Sequence, residues 1–233
     1  MRSLNPAFKL IGLLAVTFLL AARHDPLLSL SAFVISLIAM LVSRVRLKAM
    51  LLLFLPVFLA AAGMFFTGYR FAAGNSMPVR AEILHIGSSA VWNGLTLSSR
   101  VLAYAGLGLL FALTTDRIEL IRSFQKQLHV PAIFAYGLLA AWGIFPHMAL
   151  EYRRTRAAFR ARGIHVFPMS PSLLNPLLVK SVRWSEELAI AMESKGFDGR
   201  TTRSEFAPVL VRTSDWVFLA VCCLGLPAAV FFL

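Results

Sequence analysis

AMLLLFLPVFLAAAGMFFT, residues 49–67, is an unbroken apolar run without a single charged side chain. A helix needs roughly 20 mostly apolar residues to cross the hydrocarbon core of a bilayer. Residues 49–67 meet that requirement, so the run is read as a membrane-spanning helix. Arg44, Arg46 and Lys48 stand immediately before it, and such cations collect on the cytoplasmic side.

Four more apolar runs qualify or nearly do: residues 8–22, 26–42, about 88–114, and 216–233. The whole chain agrees with them. Over 233 residues it is 58% hydrophobic and 15% charged, with a mean hydropathy of +0.74. Soluble domains run closer to half apolar and a quarter charged, and this chain has too little polar surface to cover itself in water. The expected class is an all-α integral membrane protein. It would have about five transmembrane helices, a first helix that is retained rather than cleaved as a signal, and a polar helical arm. Its net charge of +12 is assigned to loops and anionic headgroups rather than to nucleic acid. Cys222 and Cys223 are adjacent within an apolar run and suggest neither a disulfide framework nor a metal site.

Charge also sets the orientation. With Arg44, Arg46 and Lys48 inside, the N-terminus bearing Arg2 and Lys9 is inside too, and the fourth span returns the chain to the cytoplasm near Thr114. A sixth apolar run, residues 130–150, is flanked by Arg117, Arg122 and Lys126 on one side and by Arg153, Arg154, Arg156, Arg160 and Arg162 on the other. If it crossed, the most basic stretch would face outside. It is therefore read as lying along or dipping into the inner surface, or packed on the bundle, with a plain sixth span as the alternative. Arg23, Arg70 and Arg80 blunt the pattern on the outer side. Gly74-Asn75-Ser76 marks a turn, and Ser88 is a candidate cap for the fourth helix. Arg100, well inside that helix, is read as reaching for the outer headgroups.

The organisation expected is membrane helices over residues 1–114, a cytoplasmic arm over 115–212, and a last membrane helix over 213–233. In the arm, Thr115-Asp116 caps a helix, Pro131 opens the next, and Pro146 interrupts that one. An amphipathic basic helix runs from Met148 to Ala161-Arg162-Gly163. Pro168, Pro171 and Pro176 mark a break, and a second amphipathic helix runs from about Leu177 to Ser194-Lys195-Gly196. Both helices end on a small residue, a cation and a glycine. Glycine takes the left-handed conformation that closes a helix. A cation in the last turn is worth roughly 0.3–1 kcal/mol against the helix dipole. Two such ends on one arm fit a pair of docking cations for acidic sites, or ordinary helix caps.

The sequence carries no chemistry that it advertises. It has no G-x-x-x-x-G-K-[ST] phosphate loop, no H-E-x-x-H pair and no G-x-S-x-G elbow. The five histidines fall in separate segments, and His147 with Glu151 reads as a surface pair. Acidic residues are sparse in the spans, which argues against a proton relay.

Taken together, these residues resemble the transmembrane T component of energy-coupling factor (ECF) transporters, the EcfT/CbiQ family, over nearly the whole chain. Asn5-Pro6 with Lys9-Leu10 is similar to the family's Asp-Pro-x-x-Lys-Leu start, with Asn for Asp. Leu113-Thr114-Thr115, Leu120-Ile121 and Pro131 match the stretch leading into the coupling helices, and Pro146 and Glu151 fall where the family has Pro and Glu. Ala161-Arg162-Gly163 matches the first of two Ala-Arg-Gly signatures. Glu186-Glu187-Leu188, Met192-Glu193 and Ser194-Lys195-Gly196-Phe197 occupy the second, with Ser-Lys for Ala-Arg. Trp142-Gly143 stand where many members have an Arg. The resemblance implies a non-catalytic subunit in a bacterial inner membrane, multi-pass, with its N-terminus and arm cytoplasmic. It implies two ABC-type ATPase subunits as partners, with Arg162 and Lys195 inserted in their grooves. A membrane-embedded S component would select a vitamin or transition-metal ion. No cofactor would be bound by this chain itself, ATP residing on the ATPases. The alternative class is a self-contained membrane permease or membrane-embedded enzyme.

Overall fold

The structure, a computed structural model, describes residues 4–23, 25–43, 47–71, 89–168, 170–198 and 211–225. Among these residues the regular elements are all helical: α1 (Pro6–Ala22), α2 (Pro26–Val42), α3 (Leu47–Arg70), α4 (Ser89–Thr114), α5 (Arg117–Gln127), α6 (Ala132–Ala161), α7 (Pro171–Ser194) and α8 (Thr213–Ala220). A π-helical turn, Val221–Gly225, continues α8. Arg2, Arg44, Arg46, Arg80, the Gly74-Asn75-Ser76 turn, Ser88 and residues 226–233 lie outside the described residues.

Helix starts follow local chemistry. Asn5 is the N-cap of α1, its side chain accepting from the Ala7 N–H at 3.2 Å, and Pro6 opens the helix where a missing N–H costs nothing. Pro26 and Pro171 open α2 and α7 in the same way. Asp116 caps α5 by accepting from the Ile118 N–H at 2.8 Å. Two prolines behave differently from the sequence reading. Pro146 lies inside α6, which runs unbroken for 30 residues, and Pro176 lies inside α7, which begins at Pro171 rather than near Leu177. A proline removes one hydrogen bond from the ladder, and here the rest of each helix carries on past it.

By length and composition, the stretches Met50–Arg70, Ser89–Thr114 and Ala132–Ala161 are long and apolar enough to cross a membrane. The 17-residue α1 and α2 are also apolar but span only about 26 Å each at 1.5 Å per residue. Residues 130–150, read above as in-plane, thus belong mostly to a helix of spanning length.

The chain divides into two compact units, residues 1–120 with 209–233, and residues 121–208. In the first, α4 is the central helix, packed most extensively on α3 and α2. Small residues permit this. A Cβ on Gly106 would sit 2.5 Å from Ser36 Oγ, and one on Gly68 would sit 2.8 Å from the Gly94 Cα. Such close approach is how helices associate where no hydrophobic gain separates lipid from protein. The core is made of Leu13, Val16 and Leu20 from α1, Phe33 and Met40 from α2, Phe54 from α3, and Ala103, Leu107 and Leu110 from α4.

In the second unit, α6 and α7 pack together. Large apolar side chains stay exposed on both: Phe134, Leu138 and Phe145 on α6, and Leu178, Val182 and Ile190 on α7. Leu173 is buried in α7.

Candidate functional site

The two small-cation-glycine tripeptides close their helices with one and the same geometry. At the end of α6, Ala161 is the last helical residue and Arg162 the C-cap. Gly163 turns left-handed at φ 76°. The Gly163 N–H bonds the Arg160 carbonyl at 3.0 Å, and the Ile164 N–H reaches back to the Phe159 carbonyl at 3.0 Å. At the end of α7, Ser194 is the last helical residue, Lys195 the C-cap, and Gly196 has φ 75°. The Gly196 N–H bonds the Glu193 carbonyl at 2.8 Å and the Phe197 N–H the Met192 carbonyl at 3.0 Å. Both are complete Schellman motifs, which require the glycine because a Cβ opposes positive φ.

The cations themselves are exposed, and neither the Arg162 nor the Lys195 side chain has a hydrogen bond or ion pair with a described residue. The caps are therefore formed by backbone, which leaves both charged heads available. Ser194 spends its hydroxyl on the Ala191 carbonyl at 3.0 Å. Behind the second end, Phe197 packs edge-on against Tyr136 of α6, with ring centroids 5.2 Å apart.

A third charge cluster ties α6 to α7. Glu151, just beyond the apolar stretch, is 8% exposed. It accepts from Lys180 of α7 and, at 2.8 Å, from Arg154 one turn further along α6. The Lys180 hydrogen bond, and then that from Arg154, hold the Glu151 carboxyl below its ordinary range. Beside it lies an open cleft of about 320 Å³ lined by His147, Met148, Lys180, Arg183, Trp184 and Glu187. His147 and Glu151, read from spacing as a surface pair, share this cleft, and the ion-pair partners of Glu151 are Lys180 and Arg154.

In the first unit, Arg100 departs from the sequence reading. Its guanidinium donates to the carbonyls of Ala21 and Arg23, each at 3.0 Å, and of Leu20 at 3.4 Å. It caps the C-terminus of α1, where the helix dipole favours a cation, rather than reaching for headgroups. Lys9 is 1% exposed, and its ammonium donates to the Thr114 carbonyl at 3.2 Å, at the C-terminus of α4. Each helix thus caps the other. Asp215 is equally buried. The sequence offered no sign of these pairings, because the partners lie tens to hundreds of positions apart. Among the described residues, no group of three or more His, Cys, Asp or Glu side chains is placed to hold a metal ion.

Comparison with known proteins places the chain in a family. The family model CbiQ, described as cobalt transport protein, matches residues 1–206. The chain is similar to energy-coupling factor transporter transmembrane proteins EcfT of several bacteria. It is 22% identical to that of Staphylococcus aureus over 94% of this chain and 87% of the relative. It is 27% identical to that of Bacillus selenitireducens, with the same two coverages, 94% and 87%. With that of Thermanaerovibrio acidaminovorans it shares 27% identity over 98% of this chain and 90% of the relative.

Proposed function

Because the chain belongs to the EcfT/CbiQ family of energy-coupling factor transmembrane proteins, we propose that it is the coupling subunit of an ATP-driven importer. It joins two ABC-type ATPase subunits, which bind the ATP, to a membrane-embedded S component that selects a vitamin or transition-metal ion. The chain itself is non-catalytic and binds no cofactor.

The observation that carries this reading is the pair of matching helix ends. Two Schellman caps satisfy the helix carbonyls with backbone and leave Arg162 and Lys195 exposed without a partner among the described residues. A cation in that setting, on a rigid helix end, is suited to a carboxylate in a groove of another protein. Ala161, Gly163, Ser194 and Gly196 shape the ends, and two similar ends fit two similar ATPases. The exposed apolar faces of α6 and α7 supply the second contact. Leu178 and Val182 lie on one side of α7 at helical spacing, exposed by 62% and 56%, and would pack on the S component. The N-terminus and arm are cytoplasmic in this reading, in a bacterial inner membrane, with α6 held at the inner surface although it is long enough to span, since the basic flanks of residues 130–150 both belong inside.

The alternative is a self-contained membrane permease or membrane-embedded enzyme. Affinity purification of the full chain from its native membrane in mild detergent, with mass spectrometry of what accompanies it, separates the two. Two nucleotide-binding ATPases and a small membrane protein are expected. Uptake or turnover by the purified chain alone would overturn the coupling reading.

A further inference from the structure

The residues at the start of α1 join the two places where the chain leaves and rejoins its first unit. Thr114 ends α4, and the chain passes from Thr114-Thr115 into α5 and the arm. It comes back at Arg212 to begin α8. Lys9 holds the exit, donating to the Thr114 carbonyl at 3.2 Å, to Thr114 Oγ1 at 3.3 Å and to Thr115 Oγ1 at 3.4 Å. The Asn5 N–H holds the return, donating to Asp215 Oδ1 at 2.9 Å, while Asp215 Oδ2 accepts from the Arg212 N–H at 2.8 Å. Four residues therefore tie three helix ends together, and all are out of solvent: Asn5 is 4% exposed, Lys9 1%, Thr114 5% and Asp215 1%. Apolar contact reinforces the return side. Phe8 meets Trp216 edge-on at 5.1 Å between centroids, and a Cβ on Gly12 would sit 3.0 Å from Phe218 Cε1.

A buried ammonium and a buried carboxylate are a costly way to fasten helices, since apolar groups of similar volume would often do as well for stability. What a charged node supplies is a single fixed arrangement. Lys9 finds its acceptors where α4 ends at Thr114 and Thr115, and Asp215 finds its donors where α8 begins beside Asn5. The other end of α1 is fixed on α4 as well, through Arg100 and the carbonyls of Leu20, Ala21 and Arg23. Helix α1 is thus fastened at both ends.

We propose that the first turn of α1 is the fixed root of the arm, with Lys9 and Asp215 as positioning residues that keep its exit and return points at one spacing. The inference rests on the coupling function above. An arm displaced by ATPases delivers that displacement to the membrane helices only if its attachment does not slip. Loosening the root uncouples hydrolysis from uptake.

The test uses the complete complex of chain, ATPases and S component in proteoliposomes, with ATP hydrolysis, uptake and complex melting temperature measured on the same preparations. Lys9→Met is expected to assemble and to hydrolyse ATP, and to lose about tenfold in uptake per ATP, in the range of residues that carry coupling. Lys9→Arg, which keeps the charge, restores most of the ratio. Thr115→Val removes only one acceptor at the partly buried edge of the node. It lowers the ratio by about threefold at unchanged melting temperature, and it decides the matter if Lys9→Met fails to assemble. Uptake per ATP that stays at the wild-type value in Thr115→Val and in every Lys9 variant that assembles would overturn the root. So would hydrolysis and uptake that fall together with the melting temperature, since the node would then be only a fastening. A wild-type chain that neither binds ATPases nor supports ATP-driven uptake would instead sink the coupling function itself.

Discussion

Arg162 and Lys195 occupy the same C-cap position in two caps closed by the same hydrogen-bond pattern, so a difference between them is expected to come from their head groups. A guanidinium presents a planar fork that pairs bidentately with a carboxylate, whereas an ammonium is a compact point charge. Exchange should therefore be asymmetric. Lys195→Arg keeps the charge and adds a fork, and ATPase binding is expected to hold. Arg162→Lys loses one of two parallel bonds, and affinity for the ATPases should fall by about tenfold, the equivalent of one charge-assisted hydrogen bond. Titration of purified ATPase onto each variant measures this, and equal affinities across the set would contradict it. At this scale the sequence was legible wherever a helix end is written in a local pattern. The tripeptides 161–163 and 194–196 are contiguous, and glycine after a cation announces a helix end. Arg100, Lys9 and Asp215 were not legible in their roles. Each is a charge in an apolar context whose partner is fixed only once α1, α4 and α8 are packed.

Among the elements, α6 and α7 pack together, and Glu151 is the charge that pins one to the other through Lys180, with Arg154 in support. Because these bonds lower the folded pKa of Glu151, the carboxylate stabilises the helix pair at neutral pH, above its unfolded pKa. That contribution is lost as pH falls through the lowered folded value, below the usual carboxylate range. Spin labels placed on the exposed Arg153 and Arg183 should report one fixed separation at neutral pH and a broadened one in strong acid. Glu151→Gln should show the broadened distribution already at neutral pH and no acid transition. An unchanged distribution in Glu151→Gln would remove the ion pair from the account. Helix boundaries were legible where a cap or an N1 proline stands at the edge of an apolar run, as at Pro26 and Asp116, whereas the first helix begins at Pro6, two residues before the run read as 8–22. They were misread at Pro146 and Pro176. A proline deletes one bond and crowds one carbonyl, and sequence alone does not say whether the turns on either side are strong enough to continue. Here they are, and α6 runs through to Ala161.

For the molecule as a whole, the all-α membrane character followed from composition and from runs such as residues 49–67, because lipid leaves few ways to satisfy a backbone. Family membership followed from scattered short matches that no single stretch would support, and the CbiQ model covers residues 1–206. What composition does not reach is the polar node at the root of the arm, since hydropathy counts Lys9 and Asp215 as exceptions to an apolar pattern. If the two helix-end cations engage the ATPases, the Arg162→Glu, Lys195→Glu double variant must break that engagement. Capture of the ATPase pair by the purified chain is measured alongside ATP-driven uptake, with melting temperature as the check on folding. Loss of a desolvated interface pair costs roughly 2–5 kcal/mol, against about 1 or less for a capping cation. The double variant should therefore keep its melting temperature and lose both capture and uptake. Wild-type capture and uptake in that variant would reduce both tripeptides to helix caps.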